Sequence, residues 1–218
     1  MSADFFVDIW SDVVCPFCYL GFRQLHDALE RFDHAHDVVI RHHAFELDPY
    51  AVLAHGQSLD ELLAHKYSLT IDRAAAMNRR VQNSALELGM VWNLATAQPT
   101  NTFDAHRVIA FAATRGRQEE MLERLFRAYF SEGLVISDHA TLSELAREIG
   151  VDGVDEVLDG DHFADAVRHD ENLAAKIGLN GVPALIVDGR IHVSGAQGAD
   201  VMLDAMRVAW SQRMDQSA

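Results

Sequence analysis

The chain has 218 residues and a mass of 24.3 kDa, with a formal net charge of −15 and a pI near 5.1. Hydrophobic residues make up 49% and charged residues 23%, a globular balance that excludes disorder, collagen and coiled coil. The acidic balance argues against nucleic acid and anionic membrane surfaces as partners, because binding them relies on Lys and Arg that release counterions.

A chain of this length buries roughly 70% of its surface without staples. It has no apolar run of the roughly 18 residues that a membrane span needs. Met1 to Phe6 lack a basic region and a cleavage site, so no secretory leader is expected.

Phe5 to Trp10, aromatic and β-branched with one charge, predict a buried strand. After a short connection, Pro16 suits the first position of a helix, where its missing N–H costs nothing. Leu20, Leu25, Ala28, Leu29 and Phe32 continue that helix at its apolar spacing. Val38 to Phe45 predict a second strand, which completes a strand–helix–strand unit.

From about Ser58 to Gly178 the signals are helical. Ser58 with Glu61, and Thr141 with Glu144, have capping-box spacing. Thr70 and Asn101 can cap two further helices. Leu122, Leu125, Phe126 and Tyr129 mark another, and Phe163, Ala166, Val167, Leu173 and Ile177 the last. Gly89, Gly116, Gly133, Gly150 and Gly178 stand where these helices should end.

Strand signals then return. Pro183 opens Ala184 to Val187, Asp188-Gly189 has the residues of a type I′ turn, and Arg190 to Val193 form the answering arm. Ser194 to Gly198 lead into a last helix, with Asp215 to Ala218 expected to fray.

The chain has two cysteines, Cys15 and Cys18. A disulfide between them closes too small a loop to staple the fold. On a helix, residues three apart have Cα atoms within disulfide reach, so the pair can open and close with little backbone movement. With Pro16 at the first helical position, Cys15 is the N-cap, and its sulfur should face the free N–H groups of Phe17 and Cys18. These amides and the helix dipole favour a thiolate there. Cys18, one turn inside, should be more buried. The expected roles are Cys15 as attacking thiol and Cys18 as resolving thiol. Phe17 offers no charge or hydrogen bond, so the thiolate gains only moderate support from the intervening dipeptide.

The alternative is half of a zinc site. Zinc takes four ligands, so histidines such as His34, His36, His42 and His43 would have to supply the rest, and none follows the pair at zinc-finger spacing. No metal is expected. His42 and His43 should face opposite sides of their strand, as hydrogen-bonded or surface residues.

Ile9-Trp10-Ser11-Asp12-Val13-Val14-Cys15-Pro16-Phe17-Cys18-Tyr19, with its strand, helical insertion, Gly181-Val182-Pro183, hairpin and helix, resembles the DsbA branch of the thioredoxin superfamily. It is most similar to the FrnE-like cytoplasmic dithiol oxidoreductases, as are Phe45-Glu46-Leu47-Asp48-Pro49, Asn101-Thr102 with Ala105-His106, and Ser194-Gly195-Ala196-Gln197. A typical member has Trp where Phe17 stands.

The resemblance implies an α/β, thioredoxin-like fold with a large all-helical insertion between the second strand and the cis-Pro strand. The expected division is residues 1–56 with 178–218 for the thioredoxin-like part and 57–177 for the insertion. It further implies a cis Val182–Pro183 bond facing the cysteines. A strand-opening proline is the plainer reading of Pro183.

Glu46 follows the second strand. If that strand is parallel to the first, Glu46 lies on the side of Cys15 and could take the Cys18 proton; a solvated loop glutamate is the commoner case. Asn101 and Thr102, with His106 and Arg107, are candidates to line a cleft, or else a helix cap and a solvated face. Gly195, Ala196 and Gln197 precede a helix N-terminus that could hold a carboxylate of a peptide or glutathione, or form a plain turn.

The expected activity is thiol–disulfide exchange, as disulfide reductase or isomerase, in the cytoplasm. Disulfide- or thiol-containing proteins or small molecules are the expected partners. No cofactor beyond the redox-active pair is needed, with glutathione as a candidate co-substrate. The alternative is a glutathione-dependent transferase or isomerase related to the kappa-class glutathione transferases. Those relatives carry Ser where Cys15 stands and Asp where Gln197 stands. A third alternative is a redox-sensing or chaperone-like binding module, whose mark would be an exposed apolar patch around the disulfide.

Overall fold

The structure, a computed structural model, describes residues 4–53 and 56–217. The first three residues of the leader expectation, and Ala218 of the fraying expectation, lie outside them. In chain order the strands and α-helices are β1 (Phe5–Ser11), α1 (Pro16–Glu30), β2 (Val38–Ala44), α2 (Leu59–Lys66), α3 (Ile71–Glu87), α4 (Phe103–Ala113), α5 (Gln118–Arg127), α6 (His139–Glu148), α7 (Val154–Asp159), α8 (Ala164–Lys176), β3 (Ala184–Val187), β4 (Ile191–Ser194) and α9 (Ala199–Ser217). α9 runs on through Asp215 to Ser217. Among the described residues no helix is long and apolar enough to cross a membrane.

Two compact units emerge, Met1–Leu47 with Asp170–Ala218, and Asp48–His169. The expected boundaries were 56/57 and 177/178. The second half of α8, from Asp170, groups with the sheet, because Asp170 bonds to β2.

The first unit is built on a four-stranded sheet of order β2-β1-β3-β4. β1 pairs parallel with β2 and antiparallel with β3, and β3 pairs antiparallel with β4. Alternation along the strands gives each face its partner. Phe5, Val7 and Ile9 of β1 and Leu185 and Val187 of β3 pack with Leu25 and Ala28 of α1 and Met202, Met206 and Ala209 of α9. On the opposite face Trp10 and Ile186 pack with Ala174 of α8, joined by Leu173, Leu179 and Val182. Each large apolar side chain so buried contributes about 1.5–3 kcal/mol. The hairpin turn has positive φ at both Asp188 (49°) and Gly189 (67°), as a type I′ turn requires.

The second unit is helical. Phe126, Leu125, Met121, Leu122, Leu142 and Leu145 are fully or almost fully buried there. Arg107 is buried; its guanidinium donates to the carbonyls of Val157, Gly160 and His162 and pairs with Asp104 at 2.6 Å. Arg124, also buried, bridges Glu132 and Glu148. These contacts satisfy charges that would be costly to bury alone.

Ser58 and Glu61 form a reciprocal capping box, and Thr70 accepts from Arg73 N. The Thr141–Glu144 box does not form. α6 starts three residues earlier and Asp138 caps it, accepting from Thr141 N at 2.8 Å. Asn101 stands one residue outside the N-cap of α4, which is Thr102; its Oδ1 accepts from Phe103 N at 2.9 Å. Phe163 lies just before α8 with a φ of 64° instead of inside it. After α5 one turn is π-helical, Ala128–Glu132, closed by Gly133 in the left-handed region. A Cβ on Gly133 would meet Thr96 at 2.7 Å, so chain direction and space both require glycine there.

Candidate active site

Helix α1 begins where the parallel strand β1 ends, and both cysteines sit at that junction. Cys15 is the N-cap with extended backbone (φ −88°, ψ 114°), and Pro16 takes the first helical position. Asp12 holds the turn: its carbonyl accepts from Cys15 N at 3.0 Å, and its amide donates to Cys18 Sγ at 3.5 Å. Its carboxylate, 1% exposed, accepts from Leu47 N at 2.8 Å, which ties the segment after β2 to the cysteine turn.

Both cysteines are free thiols. Cys15 is 4% exposed and Cys18 0%. Burial pushes the Cys18 thiol well above its ordinary range. The adjacent Cys15 sulfur adds to this, and the Asp12 amide opposes it. Cys18 therefore stays protonated until something draws it out. The Cys15 side chain makes no capping bond to the α1 amides, contrary to expectation. Its Sγ donates instead to the Val182 carbonyl at 3.6 Å. The Cys18 amide that was expected to face the sulfur bonds to the Cys15 carbonyl.

The Val182–Pro183 bond is cis. Pro183 is buried, and its carbonyl accepts from Gly195 N at 2.7 Å. Gly21, in the second turn of α1, lies against the proline ring: a Cβ there would stand 3.2 Å from Pro183 Cγ. Both Asp12 and Gly21 escaped the sequence reading. A glycine inside a strong helical pattern was the available signal for Gly21; nothing local marks Asp12.

The other candidates fall in three places. Phe17, two residues after Cys15, is 50% exposed, and Leu47, whose amide bonds to Asp12, is 41% exposed. Glu46 is 6% exposed, which overturns the solvated-loop expectation: Phe45 N bonds to Ser11 O and carries the chain inward. At the start of α9, Gly198 N is taken by Gln24 Oε1 (3.0 Å), and Asp200 in the first turn pairs with Arg31. Gln197 Nε2 folds back on Ser194 O at 2.8 Å. This N-terminus is less open to an anion than its sequence suggests. Asn101 and Thr102 belong to the helical unit. There Asn101 bonds to Pro49 O and Phe103 N, and Thr102 is buried at the start of α4.

His42 and His43 do face opposite sides. His42 contacts Phe22 of α1. His43, on the α8 side, bonds through Nδ1 to Asp170 and through Nε2 to Asp8, both at 2.8 Å, and stacks on Trp10 at 4.3 Å. Asp8 also takes a bidentate bond from Arg41.

Comparison with known proteins adds to this geometry. A family model described as a DSBA-like thioredoxin domain matches residues 6–207. A crystal structure of a probable DsbA oxidoreductase from Streptomyces coelicolor superimposes with a TM-score of 0.90 at 36% identity, covering 95% of this chain and 90% of that one. YwbO of Bacillus subtilis (strain 168), an uncharacterized protein, is 27% identical over 204 residues, 92% of this chain and 94% of its own. A cytosolic disulfide reductase, DsbM from Pseudomonas aeruginosa, solved with GSH, shares the fold with a TM-score of 0.66 at 18% identity, over 94% of this chain and 99% of that one.

Proposed function

The chain belongs to the DSBA-like thioredoxin-domain family, and from that premise we propose that it is a disulfide reductase or isomerase working through Cys15 and Cys18. The observation that carries this reading is the pairing of two free thiols at the N-terminus of α1 with the Val182 carbonyl 3.6 Å from Cys15 Sγ.

In the reductive direction the Cys15 thiolate attacks one sulfur of a substrate disulfide. A Cys15–substrate bond forms, the substrate S–S bond breaks, and the second substrate sulfur leaves as thiolate. Cys18 then gives up its proton and attacks Cys15 Sγ, forming the Cys15–Cys18 disulfide and releasing the first substrate sulfur. The substrate gains two electrons and the protein loses two. Two reduced glutathione molecules, becoming oxidised glutathione, return them.

The raised thiol of Cys18 suits a resolving role, since a resolving thiol should not compete for the substrate. Asp12, whose amide bonds to Cys18 Sγ, and the buried Glu46 are the carboxylates proposed to receive its proton. Phe17 and Leu47 supply apolar surface for a protein substrate with an apolar residue beside its cysteine. The two sulfurs carry the electrons themselves, so the exchange needs no metal or organic cofactor. A cytosolic setting, which the name of the Pseudomonas aeruginosa relative carries, would keep the pair mostly as dithiol and favour reduction over net oxidation.

Equilibration in glutathione buffers of stepped ratio, followed by quenching and thiol counting by mass spectrometry, tests this. A two-electron loss confined to Cys15 and Cys18 is expected; a midpoint near about −270 mV marks a reductant and one near about −120 mV an oxidant. A stable glutathione adduct on Cys15 with no internal disulfide would overturn the reading in favour of a glutathione-dependent transferase or isomerase.

A further inference from the structure

The His43 cluster is used by no step above, yet it joins the two parts of the site. Asp170 bonds to β2 twice, through His43 Nδ1 (2.8 Å) and the Ala44 amide (3.0 Å). Its own carbonyl accepts from Trp10 Nε1 at 3.2 Å. Trp10 lies on β1, one residue before Ser11 and Asp12, which lead into the cysteine turn. Asp170 lies on α8, whose end leads through Gly178 into the cis-proline segment. Trp10, Ala174 and Ile186 form one buried cluster, and Leu179 and Val182 pack against it. His43 stacks flat on the Trp10 indole, with rings 15° apart.

We propose that His43 is a positioning residue of the thiol site: clamped between Asp8 and Asp170, it locks the strand that carries the cysteines to the helix that carries the cis-proline segment, and thereby holds the Val182 carbonyl against Cys15 Sγ. This rests on Cys15 being the reactive thiol. The clamp is ionic. The charged groups bonded to His43 and to its partners include Asp8 of β1, Asp170 of α8 and Arg41 of β2. An imidazolium between two carboxylates donates from both nitrogens, as both short contacts require. A neutral ring can donate from only one, and one carboxylate would then face a lone pair. The Val182 carbonyl presents its negative end to Cys15 Sγ, so it opposes charge building on that sulfur. Releasing the clamp relaxes this opposition and lets reagent reach a thiol that is now 4% exposed.

The test is the rate of alkylation of Cys15 by iodoacetamide in the reduced full-length protein, read by peptide mass spectrometry. His43→Gln and Asp170→Asn are compared with the wild type and with His192→Gln, a change at an exposed histidine of β4. At pH 7 both clamp variants should react faster, by roughly two- to fivefold, the size expected for loss of one weak hydrogen bond. The control should match the wild type. The ratio of variant to wild-type rate should fall toward one as pH rises through about 9, to which the two carboxylates push wild-type His43. Asp170→Asn keeps side-chain volume and an acceptor for Ala44 N, so it stands in if His43→Gln folds poorly. Folded variants whose Cys15 rates equal the wild type's at pH 7, even with lowered Tm, overturn the proposal and leave His43 a stabilising residue only. Alkylation needs no disulfide chemistry, so failure of the oxidoreductase reading would show separately, in the glutathione titration.

Discussion

The Cys15 sulfur and the Val182 carbonyl oxygen, 167 residues apart in sequence, meet at 3.6 Å. A thiol can donate across that gap; a sulfur in a disulfide has no proton to give. The contact therefore favours the reduced pair. Cys18 has no exposed surface and Cys15 has little, which accords with the proposed order of attack.

Single cysteine variants should separate the two roles. Cys15→Ser should lose disulfide exchange altogether. Cys18→Ser should keep the first step and accumulate a mixed disulfide on Cys15, because the resolving sulfur is gone. Incubation with oxidised glutathione and intact-mass measurement would distinguish them; an equal yield of adduct in both would overturn the assignment of separate roles.

Gly21 should tolerate little. Gly21→Ala gains about 0.5–1 kcal/mol of helix propensity, set against a Cβ only 3.2 Å from Pro183 Cγ, so a net change within about 1 kcal/mol is expected. Gly21→Val should cost about 1–3 kcal/mol by overpacking and should slow exchange by displacing the proline. Urea unfolding and a disulfide-reduction assay on the same samples would check both effects.

The His43 clamp makes stability depend on pH. Burial alone would lower the imidazole, but bonds to Asp170 and Asp8 more than offset that and push it up to about 9. Because the folded value lies above the ordinary 6.5, the contribution is complete below that pH and is lost as pH rises through 9. Its size is about 3 kcal/mol. For Asp8, burial acts to raise the carboxyl and the bonds with His43 and Arg41 outweigh it. That contribution holds at neutral pH and is lost as pH falls through the lowered folded value. The stability gap between wild type and His43→Gln should thus narrow between pH 7 and pH 10 in urea titrations; a constant gap would contradict the clamp.

Helix capping supplies a test remote from the site. Asp138→Ala should cost about 1 kcal/mol, because Asp138 receives both the amide and the hydroxyl of Thr141. Glu144→Gln should leave stability unchanged within about 0.5 kcal/mol. Thermal or urea unfolding of the two variants decides between this cap and a Thr141–Glu144 box.

What the sequence determined by itself is local. Proline at the first helical position, cysteines three apart, the apolar runs of β1 and β3 and the Asp188-Gly189 turn each obey rules that act within a few residues. The order strand–helix–strand, helices, hairpin, helix could therefore be read directly, and so could the cysteine pair. Tertiary structure decided whatever depends on partners distant in sequence. Asp12 meets Leu47, His43 meets Asp170, Gly21 meets Pro183, and Glu46 is buried just beyond the end of β2. Even the α6 cap was decided by competition, since Asp138 and Thr141 both carry suitable oxygens and the path of the chain into the helix chose between them. Burial and long-range contact set the protonation of Cys18 and His43, and no window of sequence contains the groups that do so.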